Sequence, residues 1–240
     1  MRPTILSVVL SLVCILGGCA SPSWNGQVHR WGTLRGVLRD GDTGGKVRLG
    51  DAVEPDCVGI GALEGLAGEI GIVDGKLWVA RADDEAAADS ADSDAMATFL
   101  ATATVPRWVR QETHERLSLA QLEKVVHAAA MEHGLDTSAP FPILIEGRFS
   151  TVNLHVLNGR CPFKQPPDPS DDAHDPVRYE QDTARGVLVG FYNEGPSGIL
   201  THANTKLHLH AVLRDAPPPV GHVDALTIDP GAEIRIPAVD

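Results

Sequence analysis

A chain of 240 residues is long enough for one large domain or two small ones with a hydrophobic core. Its composition is globular, 43% hydrophobic and 22% charged, and 24 Gly with 17 Pro favour many turns, hence many strands, over a helical bundle. A formal net charge of -12 argues against nucleic acid and against an anionic membrane surface as partners, because both repel an acidic face.

In chain order, the first element is an export signal. Arg2 gives a positive start, Ile5 to Leu16 form an apolar run too short to span a bilayer comfortably, and Leu16-Gly17-Gly18-Cys19 resembles the lipobox of bacterial lipoproteins. That resemblance implies cleavage after residue 18 and lipid on Cys19, so residues 1–19 act as a lipoprotein signal and 20–26 as a tether. The expected location is the cell envelope, as a periplasmic or outer-membrane lipoprotein held to the membrane by its lipid anchor only. An ordinary cleaved signal with a chance cysteine is the alternative. With Cys14 removed and Cys19 lipidated, Cys57 and Cys161 remain. Two cysteines in an oxidising compartment suggest one disulfide, and two separate buried thiols are the alternative.

Residues 27–161 read as an N-terminal β-rich unit with one clear helix. Val28 to Val53 holds short apolar stretches broken by Gly-Asp turns. Gly68 to Val79 reads as a hairpin around Asp74-Gly75, the dipeptide favoured in two-residue turns. Asp83 to Asp94 is acidic and Ala-rich without an apolar face, which predicts a solvated loop. A strand pattern resumes over 97–108. Ser118 then opens a helix to about His133, with Gln121 at capping-box spacing, Gly134 as the stop, and Leu119, Leu122, Val125, Val126 and Ala129 on one face. His127 and His133 on this helix read as surface or satisfied core histidines. Phe141 to Leu157 predicts a strand pair turning near Glu146-Gly147. A Pro/Asp-rich loop at 162–178 separates the halves, and 179–240 forms a C-terminal β-rich unit with strands at Gly186–Tyr192, Lys206–Leu213 and Val220–Ile228.

The histidines carry the chemistry. His208-Leu209-His210 lies in a strand-forming run, and side chains two apart on a strand share a face, so both imidazoles converge. His222 follows after an Ala216-Pro217-Pro218-Pro219 turn, and an antiparallel return brings it beside the pair. Three neutral imidazoles with an open coordination position suit zinc or another first-row divalent ion, and the open position is where a substrate oxygen binds. A lone HxH pair is weak evidence in a chain with 10 His, and the returning His222 strengthens it. A cupin would place a glutamate a few residues later, where Val212, Leu213 and Arg214 stand. No Gly-x-Ser-x-Gly elbow, phosphate-cradling Gly loop or CxxC pair is present.

Several segments together resemble acetolactate decarboxylase. Gly59 to Glu69 with Asp74-Gly75 resembles that family's GxGTFxxLDGE…DG segment, and Ile145-Glu146-Gly147-Arg148-Phe149-Ser150 its IDGxFS segment. Gly186 to Tyr192 resembles the strand leading to its metal site, and His208-Leu209-His210 with Gly221-His222-Val223 its HxH and GGHV ligands. The resemblance implies an α/β fold of the α+β, β-rich kind, with two mixed β-sheet units and few helices. It implies a zinc site on His208, His210 and His222, and a small hydroxy-keto acid as the partner: 2-acetolactate would lose carbon dioxide and give acetoin. Glu69 matches the active-site glutamate and is the candidate proton donor to carbon. A family-like homodimer is also open.

Three features depart from the family pattern. His155 stands where the family has an arginine, and Ala62 where it has a threonine. The family also carries a longer C-terminal tail with a second catalytic glutamate, and Glu233 comes too early to match it. The leading expectation is a metal-dependent carboxy-lyase using Glu69 and His155. The alternatives are a non-catalytic, metal-binding envelope lipoprotein and a hydrolase in which His155 joins the site.

Overall fold

The computed structural model describes residues 23–83, 93–160, 174–214, 217–218 and 220–240. The export signal, Cys19, Cys161, residues 162–173 and most of the acidic 83–94 segment lie outside the described residues. No described helix is long and apolar enough to cross a membrane.

The first sheet is built from β1 (His29–Trp31), β2 (Val47–Arg48), β3 (Cys57–Leu63), β4 (Glu69–Val73), β5 (Lys76–Ala80) and β6 (Met96–Thr104). Their order is β1-β6-β3-β4-β5, with β2 also on β6. A wide helical turn at Gly36–Asp40 follows β1, and the single-turn α1 (Leu49–Ala52) follows β2. The expected hairpin joins β4 to β5: Asp74 and Gly75 take φ of 50° and 72°, the left-handed pair that a two-residue turn of this hand requires.

The second sheet contains β7 (Trp108–Glu112), β8 (Leu117–Ser118), β9 (Phe141–Val156), β10 (Val177–Tyr192), β11 (Leu207–Leu213), β12 (Val220–Ile228) and β13 (Glu233–Pro237). Its order is β7-β13-β9-β10-β11-β12-β8, and β12 also pairs back onto β9. Strands β9, β10, β11 and β12 therefore close a ring. The helix α2 (Leu119–Glu132) is capped as its sequence predicts: Ser118 Oγ accepts from the Gln121 N–H, and Gln121 Oε1 accepts from the Ser118 N–H.

Three expectations need correction. All described pairings are antiparallel, where mixed sheets were expected. The short links among β3, β4 and β5 permit only antiparallel return, since a parallel neighbour needs a long crossover. Next, Phe141 to Leu157 is not a strand pair. It is the single long β9, in register with β10 from Phe141↔Tyr192 to Val156↔Val177. Glu146 sits mid-strand between Val187 and Glu233, and its carboxylate accepts from Arg214 at 2.6 Å and Arg235 at 2.8 Å. Finally, the chain leaves the first sheet between Thr104 and Trp108, so β7, β8 and β9 belong with the C-terminal strands. β9 and β10 are neighbours in one sheet, so the strands on either side of the expected 162–178 divide share it.

The two sheets face each other. Val58, Ile60, Phe99 and Ala101 of the first pack with Val187, Val189, Phe191, Val212 and Val220 of the second. The other face of the second sheet is covered by Leu122, Val126, Ala129 and Ala130 of α2. The outer face of the first sheet packs with Leu49 and Ala52 of α1.

Candidate metal centre

Alternation along β11 sorts its side chains. Leu207, Leu209, Ala211 and Leu213 enter the core beneath α2, while His208, His210 and Val212 take the opposite face, toward the first sheet. The register sets His210 opposite His222 on β12, and His222 opposite His155 on β9. A row of three imidazoles thus crosses adjacent strands, with His208 two residues away. Ring centroids are 5.3 Å apart for His208 and His210, 5.0 Å for His208 and His222, and 5.4 Å for His210 and His222. Beneath His208, a Cβ on Gly190 of β10 would sit 1.9 Å from the His208 carbonyl oxygen, so only glycine lets β10 approach β11 there.

A fourth imidazole joins them from the segment between β10 and β11. The half-buried His202 has ring centroids 5.2 Å from His208 and 5.4 Å from His222. One nitrogen each from His202, His208 and His222 lie within 4.8 Å of one another, a grouping able to hold a metal ion. The closest-converging set therefore contains His202 in place of the expected His210, which borders the same centre. Sequence reasoning missed His202 because it lies in an aperiodic stretch, six residues before the HxH pair.

The donor chemistry fits a divalent ion. His208 Nδ1 lies 2.7 Å from the Leu200 carbonyl oxygen and His210 Nδ1 2.8 Å from that of Ile70. A carbonyl only accepts, so each ring carries its proton on Nδ1 and leaves Nε2 as a lone-pair donor, the arrangement found behind metal-bound imidazoles. Burial pushes all four rings down from the usual histidine value, His202 to about 4 and His210 to about 3, and His208 and His222 well below it. They are neutral at pH 7, as ligands must be.

Glu69 opens β4 and is only 2% exposed. Its carboxylate lies 3.5 Å from His210 Nε2 and 4.0 Å from His155 Nε2. Burial raises its pKa well above the ordinary carboxyl value, opposed by a backbone hydrogen bond from Leu157 and aided by the nearby charge of Asp224. His155 is equally buried, and its Nδ1 lies 2.9 Å from Asp224 Oδ1, whose other oxygen accepts from Arg178 at 3.1 Å. Asp224 is the extra residue of a bulge: Val223 pairs with Leu154 and Ala225 with Asn153, leaving Asp224 without an opposite number. A bulge is invisible to a period-2 reading, so Asp224 too was missed.

Glu69, His155, His202, His208, His210 and His222 all line one cavity of about 40 Å³, walled by Leu34, Val37, Leu66, Phe99 and the buried Ala62. Glu233 lies elsewhere, on β13, bound to Arg110 and Arg235. Cys57 is a buried free thiol, and its expected partner Cys161 lies outside the described residues. His127 is remote from the centre and sits 3.1 Å from the Tyr192 hydroxyl.

The sequence profile of the alpha-acetolactate decarboxylase family matches residues 29–239. The chain belongs to that family. The solved acetolactate decarboxylase of Bacillus subtilis subspecies spizizenii is similar in fold, with a TM-score of 0.68 at 21% identity over 89% of this chain and 87% of that one. The alpha-acetolactate decarboxylase of Bacillus subtilis strain 168 also gives 0.68, at 20% identity over 89% and 86%. A Staphylococcus aureus protein of unknown function, described as similar to alpha-acetolactate decarboxylase, gives 0.64 at 22% identity over 87% and 84%. No curated protein matches the sequence. Within the alpha-acetolactate decarboxylase family fold, the HxH pair and its returning histidine thus sit at the sheet-to-sheet interface, beside a buried glutamate.

Proposed function

We propose that this protein removes carbon dioxide from a small 2-hydroxy-3-keto acid, with 2-acetolactate as substrate and acetoin as product. One observation carries the reading: the Glu69 carboxyl is buried in the same cavity as the histidine cluster, and burial shifts it toward its protonated form. When the C–C bond to the carboxylate breaks, its electron pair stays on the neighbouring carbon, which must accept one proton. A neutral Glu69 delivers that proton and becomes a carboxylate. His155, oriented by Asp224 and with its Nε2 4.0 Å from Glu69, is the group that restores it in this reading.

A zinc or other first-row divalent ion on the histidines supplies Lewis-acid polarisation of the substrate oxygens when bound. The apolar wall of Leu34, Val37, Leu66 and Phe99 keeps bulk water from the reacting carbon. The lipobox-like Leu16-Gly17-Gly18-Cys19 supports placing this chemistry in the cell envelope, anchored through lipid on Cys19.

The test is direct. Zinc-loaded protein lacking residues 1–19 is given 2-acetolactate and acetoin is measured, with His208→Ala as the control. Acetoin from the wild type well above the control supports the proposal, and equal yields sink it. Metal retained without acetoin would mark a metal-binding member of the family that lacks this activity.

A further inference from the structure

We infer that Arg148, Arg185 and Arg214 form a second binding site, apart from the histidine centre, for a small soluble dianion of the phosphate class. Sheet register builds the row. Arg185 of β10 stands opposite Arg148 of β9. One step past the Gly186↔Leu213 pair, the Arg214 N–H donates to the Arg185 carbonyl oxygen at 3.0 Å. Residues opposite one another share a face, so three guanidinium side chains leave three adjacent strands together, and all three residues are exposed. With Glu146, Gly147 and Gly186 they line a surface cleft of about 480 Å³. None of these residues lines the cavity at Glu69, and Arg148 precedes His155 by seven positions on β9.

The charges along this row do not balance. Like charges directly opposite one another destabilise a sheet. The chain has acids to spare, 32 Asp and Glu against 20 Lys and Arg. Yet neither the Arg148 nor the Arg185 side chain has a hydrogen bond or ion pair among the described residues. Glu146 is the only acid lining the cleft, and Arg214 and Arg235 already hold it at 2.6 Å and 2.8 Å. Asp229 bonds the Arg148 carbonyl oxygen through its N–H but gives its carboxylate to Ser150 and Arg116. Three arginines against one glutamate leave this cleft positive in a chain of net charge -12. An anion seated between Arg148 and Arg185 turns their repulsion into attraction, and each guanidinium fork can bond phosphate through two N–H groups. A small soluble anion fits better than an anionic lipid surface, which the rest of so acidic a chain repels.

Calorimetric titration of inorganic phosphate into the purified protein, at about 0.15 M NaCl to screen non-specific attraction, is the test. The wild type should bind phosphate saturably. Arg148→Gln and Arg185→Gln should each weaken binding by about tenfold or more, and the double variant should lose it. Each substitution removes a like-charge contact, so the variants keep their fold, which circular dichroism checks. Phosphate should also raise the wild-type Tm above a NaCl control of equal ionic strength, and raise that of the double variant less. Equal rises would show general salt stabilisation and overturn the inference, as would a wild type that takes up no phosphate. Phosphatidylglycerol vesicles, with phosphatidylcholine vesicles as the control, separate a lipid headgroup from free phosphate. Vesicle binding lost in the double variant, without uptake of free phosphate, would assign the arginines to a lipid surface and sink the soluble-ligand site. No readout depends on acetoin or on bound metal, so the outcome stands apart from the decarboxylase reading.

Discussion

His155 Nδ1 lies 2.9 Å from Asp224 Oδ1, and the acid reaches it from a one-residue bulge in β12. This contact gives the imidazole a fixed orientation, with its far nitrogen toward Glu69. Arg178 holds the other oxygen of Asp224 at 3.1 Å, so the acid is itself oriented. Asp224→Asn keeps the shape but lets the amide rotate, presenting a donor where an acceptor is needed. The expected outcome is a decarboxylation rate lowered about 10- to 100-fold with metal content unchanged. Metal analysis beside steady-state kinetics checks this, and an unchanged rate would remove Asp224 from the mechanism.

Glu69→Gln replaces a proton donor by an amide of the same size in the same buried place. If Glu69 delivers the proton to carbon, kcat falls by about 10²- to 10⁴-fold while zinc binding persists. A variant that turns over normally would assign the proton to another group.

The metal-free protein should weaken in acid. His202, His208, His210 and His222 all have folded pKa values below the ordinary 6.5, so the unfolded chain takes up protons that the folded chain refuses. The stability they leave intact above pH 6.5 is therefore lost as pH falls toward about 4, the value of His202. Glu69 runs the other way: its raised pKa favours the fold in acid and costs stability as pH rises above the ordinary 4.5. Four rings against one carboxyl leave a net loss. Thermal melts of metal-free protein between pH about 7 and about 5 should show a falling Tm, and His208→Gln should flatten the slope. A Tm independent of pH in this window would contradict the burial of neutral rings.

Gly190→Ala puts a methyl group where the His208 carbonyl oxygen already lies, 1.9 Å from the new carbon. The backbone of β10 or β11 must shift, at a cost of about 1–3 kcal/mol. Because His208 is on the displaced strand, metal affinity should fall in the same variant. Denaturant midpoints and zinc titration measure the two effects, and a fully stable variant with normal zinc affinity would show that the strands separate freely.

Ser118→Ala removes one half of the reciprocal cap with Gln121. The expected loss is about 1 kcal/mol, seen as a lower urea midpoint with an unchanged slope. No change would mean that Leu117, paired to Ile228, already fixes the start of α2.

Local order was legible in the sequence. The Ser118/Gln121 box, the Asp74-Gly75 turn and the strand spacing of His208 and His210 each depend on neighbours a few residues away, so composition and period determine them. The return of His222 was also readable, since a proline-rich turn between two β-forming runs leaves an antiparallel partner as the natural outcome. What spacing cannot express is which distant strands meet. Glu146-Gly147 looks like a turn until β10 and β13 are placed on either side of it. Asp224 looks like a surface acid until the bulge aims it at His155. His202 has no periodic neighbours, and only the path of the segment between β10 and β11 brings its imidazole to the others. The sequence by itself determined the histidine pair and its strand, and its family resemblance pointed to Glu69, whose burial only the structure shows. The tertiary structure decided the fourth imidazole, placed by the irregular segment between β10 and β11, and the acid behind His155 and the shared cavity, which join residues far apart in the chain through sheet register.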